Sequence, residues 1–335
     1  MQGDFFLTQG VFYFMRWLFE SVTGQSIVLT VVISTVLIRA LTLIGDIKSR
    51  QSTIKMQAIQ PQLNKLQKKY QNDPQRFQRE QSKLMKENNV SMFGGCLPML
   101  FTLPLFFVFI AAFRQWGEEM QIKVLYEMAA GNTEAGLTLF KSFRFGWIYN
   151  MWQADSGMAS IVPDATTLFS GTSVHRLFYF AEHPEAAELF VQKGFFVVDA
   201  SSKYGYAVAE ITDAFKETYN TLMQPCADLY AGHNNGWFVL PLLCCGSQVL
   251  ATWVMQKGQP KSDDNNSAAG TSKVMMWIMP LITLFYCLRT NSAFAMYWTV
   301  SSLLSMVTTM AINKIMGVGK PAGSADNKPV AAQQQ

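Results

Sequence analysis

Charge is scarce in this chain. Of its 335 residues, 15% are Asp, Glu, Lys or Arg, and three are His. An ordinary soluble domain carries about 25% charged residues. The shortage argues against a large soluble enzyme, and an apolar fraction of 50% argues against disorder. Yet the mean hydropathy is +0.12, too low for a chain lying wholly in lipid. Together these values describe a mosaic of apolar spans and strongly polar segments. Cysteine is scarce too: Cys96, Cys226, Cys244, Cys245 and Cys287 are odd in number and form no ladder of spacings. That excludes a disulfide framework. No pair of Cys-x-x-Cys motifs is present, so a zinc ribbon is excluded as well. Cys244-Cys245 sits in an apolar run and reads as packing rather than redox chemistry. The net charge of +4 is too small to imply nucleic acid, and no DNA partner is expected.

What is present is a set of long apolar runs. Residues 27–45, 96–113, 237–255, 274–288 and 293–312 are nearly uncharged. A membrane span needs about 20 mostly apolar residues at 1.5 Å rise each. Four runs approach that length, and 274–288 must borrow its flanks. The expectation is an all-α integral membrane protein with five transmembrane helices.

Charge between the runs gives orientation. Residues 48–91 hold ten basic and three acidic side chains, a balance of +7, whereas 114–236 hold eight and fourteen, a balance of −6. Lys and Arg in short loops beside spans mark the cytoplasmic side. Five spans then put the N-terminus outside and the C-terminus inside. The expected order is an interfacial helix (1–24), span 1 (25–47), a cytoplasmic helical hairpin (48–91), span 2 (92–113) and a long extracytoplasmic insertion (114–236). Span 3 (237–256), a cytoplasmic loop (257–272), span 4 (273–291), span 5 (292–315) and a disordered tail (316–335) complete it. The N-terminal stretch lacks a basic start and a small-residue cleavage site, which suits a helix lying on the membrane better than a signal peptide.

Within 48–91, Met56, Ile59, Leu63, Leu66 and Tyr70 recur at helical spacing. Asn72-Asp73-Pro74 then makes a turn, and a more polar helical stretch follows. Pro61 is expected to kink or restart the first arm. In the outer segment, 185–193 and 206–222 read as helices. The aromatic run FGWIYNMWQAD at 145–155 reads as an interfacial belt.

One residue stands out inside the spans. Arg39 lies in span 1, where an Arg at mid-helix costs about 3 kcal/mol on insertion scales. It must face protein, water or an anionic partner. Thr35, Arg39, Thr42 and Asp46 share one helical face. Span 5 repeats the pattern with Trp298, Ser302, Ser305 and Thr309, and span 3 with Gln248, Thr252 and Gln256. Isolated Ser and Thr often serve helix packing. Three polar faces, one bearing Arg, favour a shared hydrated cavity. Apart from Asp46 at the cytoplasmic end, no acid lies in a span. A deep structural Arg–Asp pair is therefore not expected, and the Arg39 charge is free to attract an external anion.

These residues together resemble the YidC/Oxa/Alb family of membrane protein insertases, in its short bacterial form without a large outer domain before the core. The resemblance rests on Arg39 in span 1, on MQAIQPQLNKLQKKYQNDPQRFQREQSKLMKENNV (56–90), on FGGCLPMLFTLPLFF (93–107), and on MPLITLF and AMYWTVSSLLSM within 274–313. It covers about residues 25–113 and 237–315. It implies five spans around a hydrophilic groove, open to the cytoplasm and to lipid and closed to the outside. It implies an insertase and chaperone of the bacterial inner membrane, not an enzyme, with no cofactor or metal. The groove residues would be Arg39, Thr35, Thr42, Gln248, Trp298, Ser302 and Ser305. The hairpin residues Lys65, Lys68, Lys69, Tyr70, Asp73 and Pro74 would receive or guide substrate. Partners implied are nascent membrane proteins and the lipid bilayer, with the Sec translocon and the ribosome as further candidates. The chain departs from the family in four ways: Gly45-Asp46 where a Pro is usual, a much longer outer segment, no outer domain or lipid-attachment Cys ahead of span 1, and a short, modestly basic tail.

Two other readings compete. A multispanning solute or ion transporter would bring an internal repeat and paired ionisable groups at mid-membrane, and neither is visible. A membrane enzyme could be sought in His175, His183 and Asp199, but their spacing matches no metal or triad motif.

Overall fold

The computed structural model describes residues 6–88, 90, 97–170, 177–256, 278 and 280–315. The Gly-rich approach at 93–96, His175, the loop 257–272 and the tail 316–335 lie outside the described residues. The chain is mostly helical, with one small two-stranded hairpin.

Helix α1 (Phe6–Ser21) packs Phe12, Met15, Leu18 and Phe19 inward. Gly24 and Gln25, both at positive φ, turn the chain into α2 (Ile27–Lys69). Ser26 caps α2 by accepting from the Leu29 N–H. With 43 residues α2 is about 64 Å long, twice the hydrocarbon thickness of a bilayer. It is one uninterrupted helix, so the apolar run and the first hairpin arm are continuous. Pro61 does not restart it. That Pro is exposed, where the lost backbone bond is replaced by water.

Asp73 caps α3 (Pro74–Glu87) by accepting from the Arg76 N–H at 3.0 Å, with Pro74 at the first helical position. α3 folds back on α2 around Ile59, Leu63, Met85 and Val90.

Helix α4 (Leu97–Ala129) does not stop where the apolar run ends at 113, but carries its core face outward through Trp116, Met120 and Val124. Five short helices follow: α5 (Thr133–Lys141), α6 (Ala165–Ser170), α7 (Phe178–Glu182), α8 (Pro184–Gln192) and α9 (Asp213–Asp228). Strands β1 (Phe196–Val198) and β2 (Tyr206–Val208) pair antiparallel between α8 and α9. The stretch 206–222, read as one helix, is therefore a strand followed by a helix. Thr212 makes the boundary by capping α9 through the Phe215 N–H.

The outer segment has a dense aromatic core. Phe169 packs edge-on to Phe215 at 5.0 Å, and Phe195 lies 5.0 Å from Phe215. Tyr219 donates its hydroxyl to the Pro163 carbonyl at 2.8 Å. Cys226 is fully buried there, and burial pushes its thiol pKa up to about 12.

Helices α10 (Val239–Gln256), α11 (280–287) and α12 (Ser292–Ile315) complete the bundle. α12 lies between α10 and α2. α2 and α12 are each long and apolar enough to cross a membrane, and 239–254 is a shorter apolar helix.

Helix α1 also reaches the outer segment. Arg16 donates to Glu182 at 2.6 Å and to Glu20 at 3.1 Å, and lies 3.5 Å from the fully buried Glu119. Lys123 meets Glu119 at 3.0 Å. Burial opposes the Arg16 charge, but Glu119 and the bonds to Glu182 and Glu20 outweigh it and hold its pKa above the ordinary value.

Candidate functional site: a polar seam and a buried polar knot

The polar face of α2 meets α12. Arg39 donates from Nε and Nη2 to Ser301 Oγ, at 2.9 and 2.7 Å. Its Nη1 lies 3.7 Å from Asp46 Oδ2. The expectation of a free Arg39 is thus corrected. Asp46 is seven residues on, about 10.5 Å along the axis and within about 20° on the helical wheel. A long Arg side chain leaning toward the C-terminal end of α2 closes that gap. Both side chains stay partly open, at 31% and 40% exposure.

The neighbouring residues sort into two groups. Thr35 is fully buried and spends its hydroxyl on the Val31 carbonyl of its own helix. Thr42 does the same with the Arg39 carbonyl at 3.2 Å. Ser302, Ser305 and Gln248 are half-buried. Gln248 Oε1 is enclosed and accepts no hydrogen bond among the described residues. Trp298 is half-buried, its ring 6.1 Å from Phe294. The hydroxyl that holds Arg39 belongs to Ser301, next in sequence to the expected groove residue Ser302. The 297–301–305 face is as periodic as 298–302–305, so spacing alone did not choose between them. A second cation was hidden in the hairpin: Arg50 is 6% exposed and donates to Asn313 of α12 at 3.0 Å. α2 and α12 are therefore joined by two arginines.

At the hairpin tip, Lys65, Lys68 and Lys69 are exposed. Lys69 and Arg76 lie over the Tyr70 ring, at 5.2 and 5.5 Å. Asp73 and Pro74 shape the turn itself.

A second knot of polar contacts joins residues that the sequence pattern did not mark. Asp155 is 1% exposed. Its Oδ1 accepts from the Trp237 and Phe238 N–H groups at 2.6 and 2.9 Å, and Oδ2 from Leu240 N–H and Trp147 Nε1 at 2.7 and 3.1 Å. It caps the start of α10 from more than 80 residues away. Gly236 makes this approach possible: at φ +76 a Cβ there would sit 2.0 Å from Asp155 Oδ1. Asn235 accepts from the Tyr149 and Asn150 N–H groups and donates to the Asn150 and Ala154 carbonyls. α12 is held by the same loop: Ser292 and Ala293 donate to the Gln153 and Met151 carbonyls. The run 145–155 is only partly a surface belt: Phe145 is exposed and Trp147 and Tyr149 are half-buried. Ile148, Asn150, Met151 and Trp152 are buried, and Trp152 packs edge-on to Trp116 at 4.8 Å.

No alternative site forms among the described residues. His183 pairs with Glu185 at the surface, and Asp199 accepts from Ser201 in the β1–β2 turn. Cys244 pairs not with Cys245 but with Cys287, as two buried thiols 3.3 Å apart.

The sequence profile described as 60Kd inner membrane protein matches residues 18–319, most of the chain. The chain belongs to that family. A protein named membrane protein insertase YidC from Clostridium perfringens is 36% identical over 148 residues, covering 44% of this chain and 53% of that relative. The protein of the same name from Treponema denticola is 24% identical over 269 residues, covering 80% of this chain and 31% of the relative. The Clostridium tetani protein is 49% identical over 75 residues, or 22% of this chain and 34% of its own. The matches thus span about half or less of these relatives' own length.

Proposed function

We propose that this chain is an insertase and chaperone of the bacterial inner membrane. It moves short hydrophilic tails of nascent membrane proteins part-way across the bilayer and releases their apolar spans into lipid. Five helices, α2, α4, α10, α11 and α12, are the spans, with the N-terminus outside and the hairpin and C-terminus in the cytoplasm. The carrying observation is Arg39. It is a half-exposed cation in an apolar helix, met among the described residues by the Ser301 hydroxyl and by Asp46 of its own helix. An acidic tail is the chemistry that would complete it.

Further features support this reading. Leu41, Ile44, Leu242, Leu281, Phe285 and Val307 are all more than half exposed, an apolar surface that only lipid or a partner would cover. The balance of +7 between 48 and 91 favours a cytoplasmic hairpin. Half-buried Gln248, Ser302 and Ser305 would supply polar walls that lower the cost of holding a hydrophilic tail. Release into lipid is driven by burial of the substrate's span, at about 0.025 kcal/mol per Å². The hairpin residues Lys65, Lys68, Lys69 and Tyr70 would meet substrate first. The Sec translocon and the ribosome are proposed as partners at the cytoplasmic face.

Photo-crosslinkers at 302 and 248 are expected to capture the tail of a stalled single-span substrate. Arg39→Ala is expected to weaken insertion of acidic-tailed substrates, and Arg39→Lys to retain most of it. Normal insertion by Arg39→Ala would remove the electrostatic mechanism. Failure of both crosslinkers would remove the groove.

A further inference from the structure

Arg39 already faces a carboxylate, and that carboxylate comes from its own helix. Asp46 stands seven residues toward the cytoplasm, 3.7 Å from Nη1. The other two polar positions of the guanidinium, Nε and Nη2, are engaged by Ser301. Ser301 is neutral, so it orients the guanidinium without cancelling its charge. Asp46 is the counter-charge, and its looser, monodentate contact is the exchangeable one. A planar guanidinium offers five donors and prefers a bidentate carboxylate at 2.7–2.9 Å. The Asp46 contact falls short of that geometry, so a better-placed acid can displace it.

Position makes the exchange feasible. Asp46 is 40% exposed, so on displacement its charge returns to water rather than to an apolar wall. The preceding residue, Gly45, is exposed as well, and nothing lies within 4 Å of where its Cβ would be. Arg50, one turn further, is buried and donates to Asn313, which anchors this stretch of α2 against α12 while the Asp46 side chain swings.

We propose that Asp46 is a resident stand-in for the substrate's acidic group. It compensates Arg39 while the groove is empty and sets the threshold that an incoming tail must exceed. The inference rests on the reading of Arg39 as the anion station of the groove. Asp46 thereby tempers specificity: Arg39 favours a tail bearing a carboxylate, and the need to displace Asp46 lowers that preference, while a neutral tail has nothing to exchange. It acts through Arg39, as a positioning and selecting residue.

The test uses the full chain reconstituted in lipid vesicles. The probe is a synthetic single-span peptide whose hydrophilic tail carries two Asp residues, compared with the same peptide carrying two Asn. The readout is the ratio of the two half-saturating concentrations. A partly exposed ion pair is worth up to about fivefold in affinity. Asp46→Asn is therefore expected to raise the preference for the acidic tail about three- to fivefold. Asp46→Glu, which keeps the charge, is expected to hold the wild-type preference. Arg39→Ala is expected to abolish the preference, and adding Asp46→Asn to it is expected to change nothing more. If Asp46→Asn leaves the preference unmoved while Arg39→Ala lowers it, the stand-in role is overturned and the Arg39 reading survives. If Asp46→Asn raises the preference even without Arg39, Asp46 acts as a distant repelling charge and the exchange is overturned. If Arg39→Ala leaves the preference at the wild-type level, both fall together.

Discussion

The outer segment and the α2–α12 seam use polar groups in opposite ways. In the outer segment every oxygen of Asp155 is occupied twice, and Asn150 and Asn235 are fully buried among backbone partners. At the seam, Arg39 and Asp46 are partly open and meet at 3.7 Å. Satisfied buried polar groups fix one arrangement. Half-satisfied, half-exposed ones leave room for another partner. The contrast assigns rigidity to the outer end and exchange to the seam.

The largest effect is expected where the aromatic core ties the outer loop to α4. Trp152→Ala removes the ring packed on Trp116 and Phe143 and should destabilise the outer segment by about 3–5 kcal/mol. Cys226 reports it, since its thiol is buried in the core of that segment. Thiol labelling of Cys226 in the purified protein should accelerate by orders of magnitude. Labelling at the wild-type rate would mean that the outer segment does not depend on this junction.

Asp155→Ala comes next. It strands the Trp237, Phe238 and Leu240 N–H groups at the buried start of α10, at about 3 kcal/mol. Because the cap joins two regions, the loss should appear both in Cys226 labelling and in the thermal unfolding of the bundle. A change confined to Cys226 would show that the outer segment unfolds on its own. Arg39→Ala is the opposite case. Its ion pair with Asp46 is partly exposed, so losing that pair should change stability by no more than about 1 kcal/mol while acidic-tail binding falls. A large drop in melting temperature would make Arg39 a structural residue and erase the contrast.

The position of Arg39 was legible in the sequence and the knot around Asp155 was not. Arg39 announces itself because a charge in an apolar run has few explanations, and Asp73-Pro74 announces a turn because both residues have local mechanisms. Both signals act within a few residues. Asp155 and Trp237 lie 82 residues apart, and nothing near either one marks the pair. The burial of Trp152 within 145–155 was not legible for the same reason: Trp and Tyr serve membrane belts and protein cores equally well, and only the tertiary fold decides. Ser301 was not singled out because both serines fit the helical period. The strand at Tyr206–Val208 was missed because its residues also suit a helix, and the pairing with Phe196–Val198 overrides that preference.

The smallest predicted effect separates the two regions by pH. Asp164 caps α6, accepting from the Thr167 N–H at 2.8 Å and its hydroxyl at 2.7 Å. Burial would raise its pKa, but the bonds from Thr167 outweigh that and hold it below the ordinary aspartate value. A depressed folded-state pKa adds stability above the unfolded value, about 4, and loses it as the pH falls through the folded value. Asp164→Ala should therefore cost the outer segment about 1 kcal/mol at neutral pH. The difference between variant and wild type should shrink toward zero as the pH falls through the folded-state value and wild-type Asp164 protonates. Denaturant unfolding of the two proteins at each pH measures it. A difference that persists undiminished in acid would mean that the cap works through shape rather than charge. The outer segment would then be rigid for reasons of packing alone.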